Sequence, residues 1–229
     1  MKTPYSSCAM NLADYKGLIS QMPVSAHAFT CSRENWAPYF DRRRAFGRAL
    51  SEIFGRCDKI TLSRSDLCNF ARKRELDVFV VATILWGYPA GMRGTNVSDI
   101  CDDFSALIQL LGEARAGKID AWSMHCARLD RVRGVGLSTY TKFLSFLATP
   151  IDGYVAIILD RRIAQVVRRQ AFSELAPIRK LTVQNGLSRY PEYLRWIHST
   201  ASTLNVPTEN LEFFLFEFGG NLKDAATAP

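Results

Sequence analysis

An all-α fold is what the sequence predicts, on three observations. Apolar residues recur at helical spacing along most of the chain, as at Phe40, Ala45, Phe46, Ala49, Leu50 and Ile53. Residues 78–86 are apolar on every side, which marks a helix at the centre of a domain. A strand-like apolar run is found only at 154–159.

The elements follow in order. Residues 1–35 have weak periodicity, with Pro4, Pro23 and several serines, and read as an irregular arm packed on a helical body of 36–229. The first helix spans 39–54. Ser63 or Ser65 caps a second helix through Leu67, Phe70 and Ala71, and Asp77 caps 78–86. The glycine-rich stretch 87–96 is a loop. Helices at 98–114 and 121–131 lead to a tight turn at Gly134 and Gly136, so a helix, hairpin and helix occupy about 121–148. Further helices are expected at 160–171, 191–204 and 208–218, with Pro191 and Pro207 at the starts of the last two. Residues 224–229 form a frayed tail. No internal repeat interrupts this order.

With 229 residues and 48% hydrophobic content, the chain can bury a core. No apolar run approaches the roughly 18 residues that span a bilayer, so no membrane association is expected. No signal peptide is visible, and the expected location is the cytoplasm. Six cysteines (Cys8, Cys31, Cys57, Cys68, Cys101 and Cys126) form no C-x-x-C pair. Zinc and iron–sulfur spacing is therefore missing, and the thiols read as reduced and mostly buried. No metal ligand set and no redox cofactor are expected. A net charge of +7 favours an anionic partner, with nucleic acid first.

Three features bear chemistry. The turn Arg133, Gly134, Val135, Gly136 ends one helix and starts another. Glycines let a phosphate approach closely, and the free N–H groups of the new helix point at it. A plain glycine cap explains the same residues. In the next helix Tyr140, Phe143, Leu144 and Leu147 face the core, which turns Ser138, Lys142 and Ser145 the other way. Lys142 is then an exposed lysine, a phosphate ligand or, if burial lowers its pKa, an amine nucleophile. Asp160 ends a buried run and starts a helical stripe, as an N-cap does. A capping carboxylate is also held rigidly, as stabilising the sugar cation of a breaking N-glycosidic bond requires. Arg161, Arg162, Arg168 and Arg169 add phosphate-binding charge beside it.

The residues of the turn, together with Ile158-Leu159-Asp160-Arg161-Arg162-Ile163, resemble the helix-hairpin-helix DNA glycosylase superfamily. Thr141-Lys142-Phe143-Leu144-Ser145-Phe146 with residues 156–164 is similar more closely to bacterial 8-oxoguanine DNA glycosylase (OGG) fold proteins. The specific match covers about residues 120–170. The resemblance implies two lobes with the active cleft between them, Asp160 as the catalytic carboxylate, and a target base flipped out of duplex DNA. It suggests a monovalent cation bridging turn carbonyls and phosphate; a monomer is expected. It places a gap-filling residue in loop 87–96, where Arg93 and Asn96 are the candidates; a solvated loop is the alternative. Trp86, Tyr88, Trp196, His198, Phe213 and Phe214 are candidates for the base pocket, although aromatics on apolar helices are more often core.

One departure matters. Strand-cleaving members carry lysine two residues after the second glycine of the turn, where this chain has Ser138, as members that only hydrolyse do. Lys142 lies a helical turn further on and 18 residues before Asp160, which resembles the usual lysine-to-aspartate separation. The segment 148–155 is longer than usual. The bases implied are an oxidised purine such as 8-oxoguanine, in repair, or a hypermodified phage base such as glucosylated hydroxymethylcytosine, in antiviral defence. The rival readings are a non-catalytic helix-hairpin-helix DNA-binding module and, behind it, a helical protein-interaction domain.

Overall fold

Helices dominate because the apolar stripes of this chain need facing stripes to bury them. The computed structural model describes residues 10–41 and 44–222. Cys8, the start of the expected arm and the tail at 224–229 lie outside the described residues. In chain order the elements are α1 (Lys16–Ser20), β1 (Ala28–Ser32), α2 (Arg44–Phe54), β2 (Lys59–Ser63), α3 (Arg64–Lys73), α4 (Leu76–Gly87), α5 (Asn96–Asp102) and α6 (Phe104–Arg115). They continue with α7 (Trp122–Leu129), α8 (Leu137–Phe146), β3 (Pro150–Ile151), β4 (Tyr154–Val155), α9 (Arg161–Arg169), α10 (Tyr190–Leu204) and α11 (Thr208–Glu217). The chain divides into two units, one of residues 23–158 and one of 1–22 with 159–229.

In the unit of 23–158, α4 is the central helix. Every residue from Asp77 to Trp86 is buried, and α2, α3, α6 and α8 pack on it. Its buried Thr83 hydroxyl donates to Phe79 O at 2.9 Å, so no polar group is stranded there. Ser63, not Ser65, caps α3. Its hydroxyl accepts from Asp66 N at 3.1 Å while the Asp66 carboxylate accepts from Ser63 N at 2.8 Å.

Several expectations are corrected. Residues 10–35 are not irregular: they carry α1, strand β1 and short 3₁₀ turns. β1 pairs antiparallel with β2, from Ala28 opposite Ser63 to Ser32 opposite Lys59. The strand-like run 154–159 pairs only at Tyr154 and Val155, opposite Pro150 and Ile151; the buried 156–159 is not in a sheet. Asp77 is not the N-cap of α4, a place taken by Glu75. It lies in the first turn, where the helix dipole favours a carboxylate, accepts from Val78 N at 2.8 Å and pairs with Arg48. The helix expected over 98–114 breaks at Asp103, whose carboxylate is drawn out to Arg133.

Sequence neighbours α7 and α8 are tied by a buried pair. His125 Nε2 hydrogen-bonds the Tyr140 hydroxyl, and the imidazole stacks on Trp122. Burial, then Arg128, lowers the His125 pKa from 6.5, against a smaller raising effect of Glu113. The unfolded chain therefore takes up the proton first as pH falls. The stability that His125 contributes is full above about pH 6.5 and is lost as pH falls through the folded-state value. Between pH 7.5 and 5.5 the melting temperature is expected to drop more in the wild type than in His125→Gln, as thermal melts at the two pH values would show.

In the other unit, α9, α10 and α11 pack with α1. Pro191 sits in the first turn of α10 and Pro207 is the N-cap of α11, where a missing N–H costs nothing. The Asn210 amide donates to Ile19 O and Ser20 O at 3.0 and 3.1 Å, tying α1 to α11. Phe172 is fully buried against Tyr15 and Phe214. Among the described residues no helix is long and apolar enough to cross a membrane.

Candidate active site

The turn between α7 and α8 is built on one obligatory glycine. Gly134 has φ +78°, and a Cβ there would lie 2.4 Å from Asn96 O and 2.9 Å from Ile100 Cγ1. Only glycine fits, because the turn packs on the start of α5. Gly136 differs. It is the N-cap of α8 at φ −96°, ψ −178°, and a Cβ there meets nothing within 4 Å. The first main-chain donor satisfied inside α8 is Tyr140 N, to Gly136 O at 2.9 Å, as at any helix start, where the helix itself supplies no acceptor for the amides before it. Val135 and Ser138 flank this opening, both half-buried.

Arg133 is a strut in the turn. Its main-chain N–H and Nε both donate to Asp103 Oδ2 at 2.9 Å, and its guanidinium lies 3.6 Å from Asp99 and 3.5 Å from Asp102. Hydrogen bonding to Asp103 raises its pKa further. Three carboxylates already balance its charge. Arg133→Gln is therefore expected to lower the melting temperature yet leave the salt dependence of DNA binding unchanged. Loss of a true phosphate ligand lowers that slope by about one.

Lys142 does not point to solvent. It is 8% exposed, because α8 is buried on nearly its whole circumference. Its stem packs on Gly87, where a Cβ would be 3.6 Å from Lys142 Cδ and Nζ. Nζ lies 5.8 Å from the centre of the Trp86 ring and 5.6 Å from that of Tyr88. The structure thus brings together Lys142, Trp86 and Tyr88. Trp86 is fixed by a hydrogen bond from Nε1 to His27 O at 3.3 Å, and Tyr88 by its hydroxyl, 2.7 Å from Thr139 Oγ1. Arg93 is exposed in the loop that follows, and Asn96 is exposed as the first residue of α5, as a residue entering DNA must be.

In the second unit, Asp160 is half-buried at the start of α9, and its Oδ1 accepts from Arg162 N at 2.9 Å. The buried residues 156–159 deliver it, and Ile163, Ala164, Val166 and Val167 anchor the helix that follows. Arg161 and Arg162 are exposed beside it, with the Arg162 guanidinium 4.7 Å from the Phe216 ring centre. Trp196 and Phe213 are buried, and Trp196 Nε1 donates to Glu174 O at 2.7 Å. His198 is half-buried, with Nδ1 3.4 Å from Thr208 Oγ1. Trp196 also lines a groove of about 780 Å³ with Pro177, Ile178 and Leu204.

Two buried charges escaped the sequence reading. Arg64, 6% exposed, is the first residue of α3, and Glu212, 1% exposed, sits in α11. Each left a signal. Arg64 puts a cation at the positive end of a helix, and Glu212 is a lone charge in the apolar run 211–216.

No curated protein and no solved structure matches the chain. Residues 22–216 match the family described as "Putative 8-oxoguanine DNA glycosylase OGG-like protein", a span that takes in the turn, Lys142, Asp160 and both buried charges. The chain belongs to this OGG-like family.

Proposed function

We propose that the protein is a DNA glycosylase that draws a modified base out of duplex DNA and breaks its N-glycosidic bond, leaving an abasic site. One observation carries the reading. In a chain of the OGG-like family, Asp160 is a carboxylate held by the Arg162 N–H at the start of α9, behind a buried run. A carboxylate fixed before substrate arrives need not reorganise as positive charge grows at C1′. When the bond breaks, its electron pair leaves with the base. Water then adds to C1′ and its proton passes to the carboxylate or to solvent. The base is reached by flipping, since its glycosidic bond is shielded in the stack.

The α8 start is a phosphate grip, open at Gly136 and reading no sequence. The carbonyl oxygens of turn 130–136 are hard donors suited to a monovalent cation, and no step needs the ion. Arg161, Arg162, Arg93 and Asn96 supply exposed contacts to DNA. Burial of Lys142 against Trp86 and Tyr88 supports an amine that attacks C1′ over a solvent-facing phosphate ligand. Ser138 at the usual lysine position supports plain hydrolysis. Borohydride decides between them: trapping of wild-type protein on DNA, lost in Lys142→Gln, marks the amine as nucleophile, and no trapping leaves water in that role.

The enzyme acts as a cytoplasmic monomer on an oxidised purine or on a hypermodified phage base. Two DNAs test this: a duplex with one 8-oxoguanine, and phage DNA carrying glucosylated hydroxymethylcytosine. Alkali-sensitive sites in the first make it a repair enzyme, and sites only in the second make it a defence enzyme. Tight, salt-sensitive binding without release from either makes it a non-catalytic DNA-binding module.

A further inference from the structure

Arg64 is a costly residue for the fold. Its side chain is 6% exposed, and it occupies the first position of α3, where the helix dipole opposes a cation. Nothing local in the helix start calls for it, since Ser63 and Asp66 already close the capping box. Its placement is nonetheless exact in backbone terms. Arg64 N donates to His27 O at 3.0 Å, and the same carbonyl accepts from Trp86 Nε1 at 3.3 Å. Its guanidinium carbon lies 5.6 Å from the Trp86 ring centre, and Lys142 Nζ lies 5.8 Å from it. Two buried cations from different helices therefore share one indole, and that indole is pinned to the backbone that holds one of them.

We propose that Arg64 contacts the flipped base and helps to determine specificity. This rests on the glycosylase reading. A guanidinium presents a planar fork of N–H donors and no acceptor. It would bind the carbonyl oxygens and ring-nitrogen acceptors on the edge of an extruded base. Burial argues for the base over the DNA backbone: a phosphate on the duplex surface does not reach a guanidinium this enclosed, whereas a flipped base enters the protein. Trp86 keeps the fork in plane through its contact with the guanidinium.

The test uses whichever of the two DNAs above the wild type acts on. Arg64→Lys keeps the charge and loses the fork, and Arg64→Met keeps the stem packed on Trp86. In both, kcat/KM for base release is expected to fall on the order of 10- to 100-fold. Affinity for undamaged duplex, and its salt dependence, should stay at the wild-type value. Methylguanidinium added to Arg64→Ala should restore part of the turnover, which a merely structural arginine would not permit. Wild-type turnover in Arg64→Lys, a lower salt slope in Arg64→Met, or no rescue in a folded Arg64→Ala each overturns the assignment and leaves the glycosylase reading standing. A wild type that releases base from neither DNA removes the glycosylase reading, and the role of Arg64 with it.

Discussion

Asp160→Asn is expected to lower base release by at least about 10²-fold while the protein keeps its DNA affinity and its melting temperature. On the proposed reading the side chain has two jobs that this substitution separates. As N-cap of α9 it accepts a main-chain hydrogen bond from Arg162 N at 2.9 Å. Asn caps a helix about as well as Asp, so the fold is spared. What Asn lacks is the negative charge that stabilises the sugar cation and takes up a proton from water. Asp160→Ala removes both functions and should cost about 1 kcal/mol in addition, from the lost cap. Base release under single-turnover conditions, read beside thermal melts of both variants, checks the pair. A difference in stability between Asn and Ala with no loss of release in either would reduce Asp160 to a cap.

Gly134→Ala is expected to destabilise the protein by about 2 kcal/mol or more, and Gly136→Ala by less than about 1 kcal/mol. The two glycines stand two residues apart in one turn but meet different surroundings. At Gly134 an added methyl group enters the left-handed region, at φ +78°, and lies 2.4 Å from the backbone oxygen of Asn96. That oxygen is in α5 and has no flexible end to yield. At Gly136 the backbone is extended and the space is empty. The proposed phosphate grip at the α8 start would reverse the order for function. Gly136→Ala puts a methyl group at the mouth of the α8 start and should weaken duplex binding in a protein that melts normally. Urea denaturation and duplex titration on the same two variants would show whether stability and binding part in this way.

What the sequence revealed of this protein was what residues within a few positions of each other decide. The Ser63 cap, the Gly134 turn and the Asp160 cap are closed by partners two to three residues away or by the φ of a single residue, so their residue types announce them. The burial of Lys142 was not legible because a helical wheel gives one core face, and α8 is buried on several: Thr139, Thr141 and Lys142 are buried as well as Tyr140 and Phe143. The ion pairs of Arg133 could not be read from the sequence, because its carboxylates, Asp99, Asp102 and Asp103, lie about thirty residues earlier and meet it only through the fold. The β1–β2 pair was invisible for a related reason. Ala28–Ser32 has no clean alternation, and its partner is Lys59–Ser63, on the other side of a whole helix. Arg64 and Glu212 were legible only as oddities, a cation at a helix start and an acid in an apolar run, and only their burial gave the oddity weight.

The most direct measurement is the mass-spectrometric detection of free base released from the two DNAs, with wild-type and Asp160→Asn protein under the same conditions. The expected result is a free modified base from one of the DNAs with wild-type protein, none with the variant, and equal binding of duplex by both. Equal release by the variant, or tight binding with no free base from either DNA, would contradict the account.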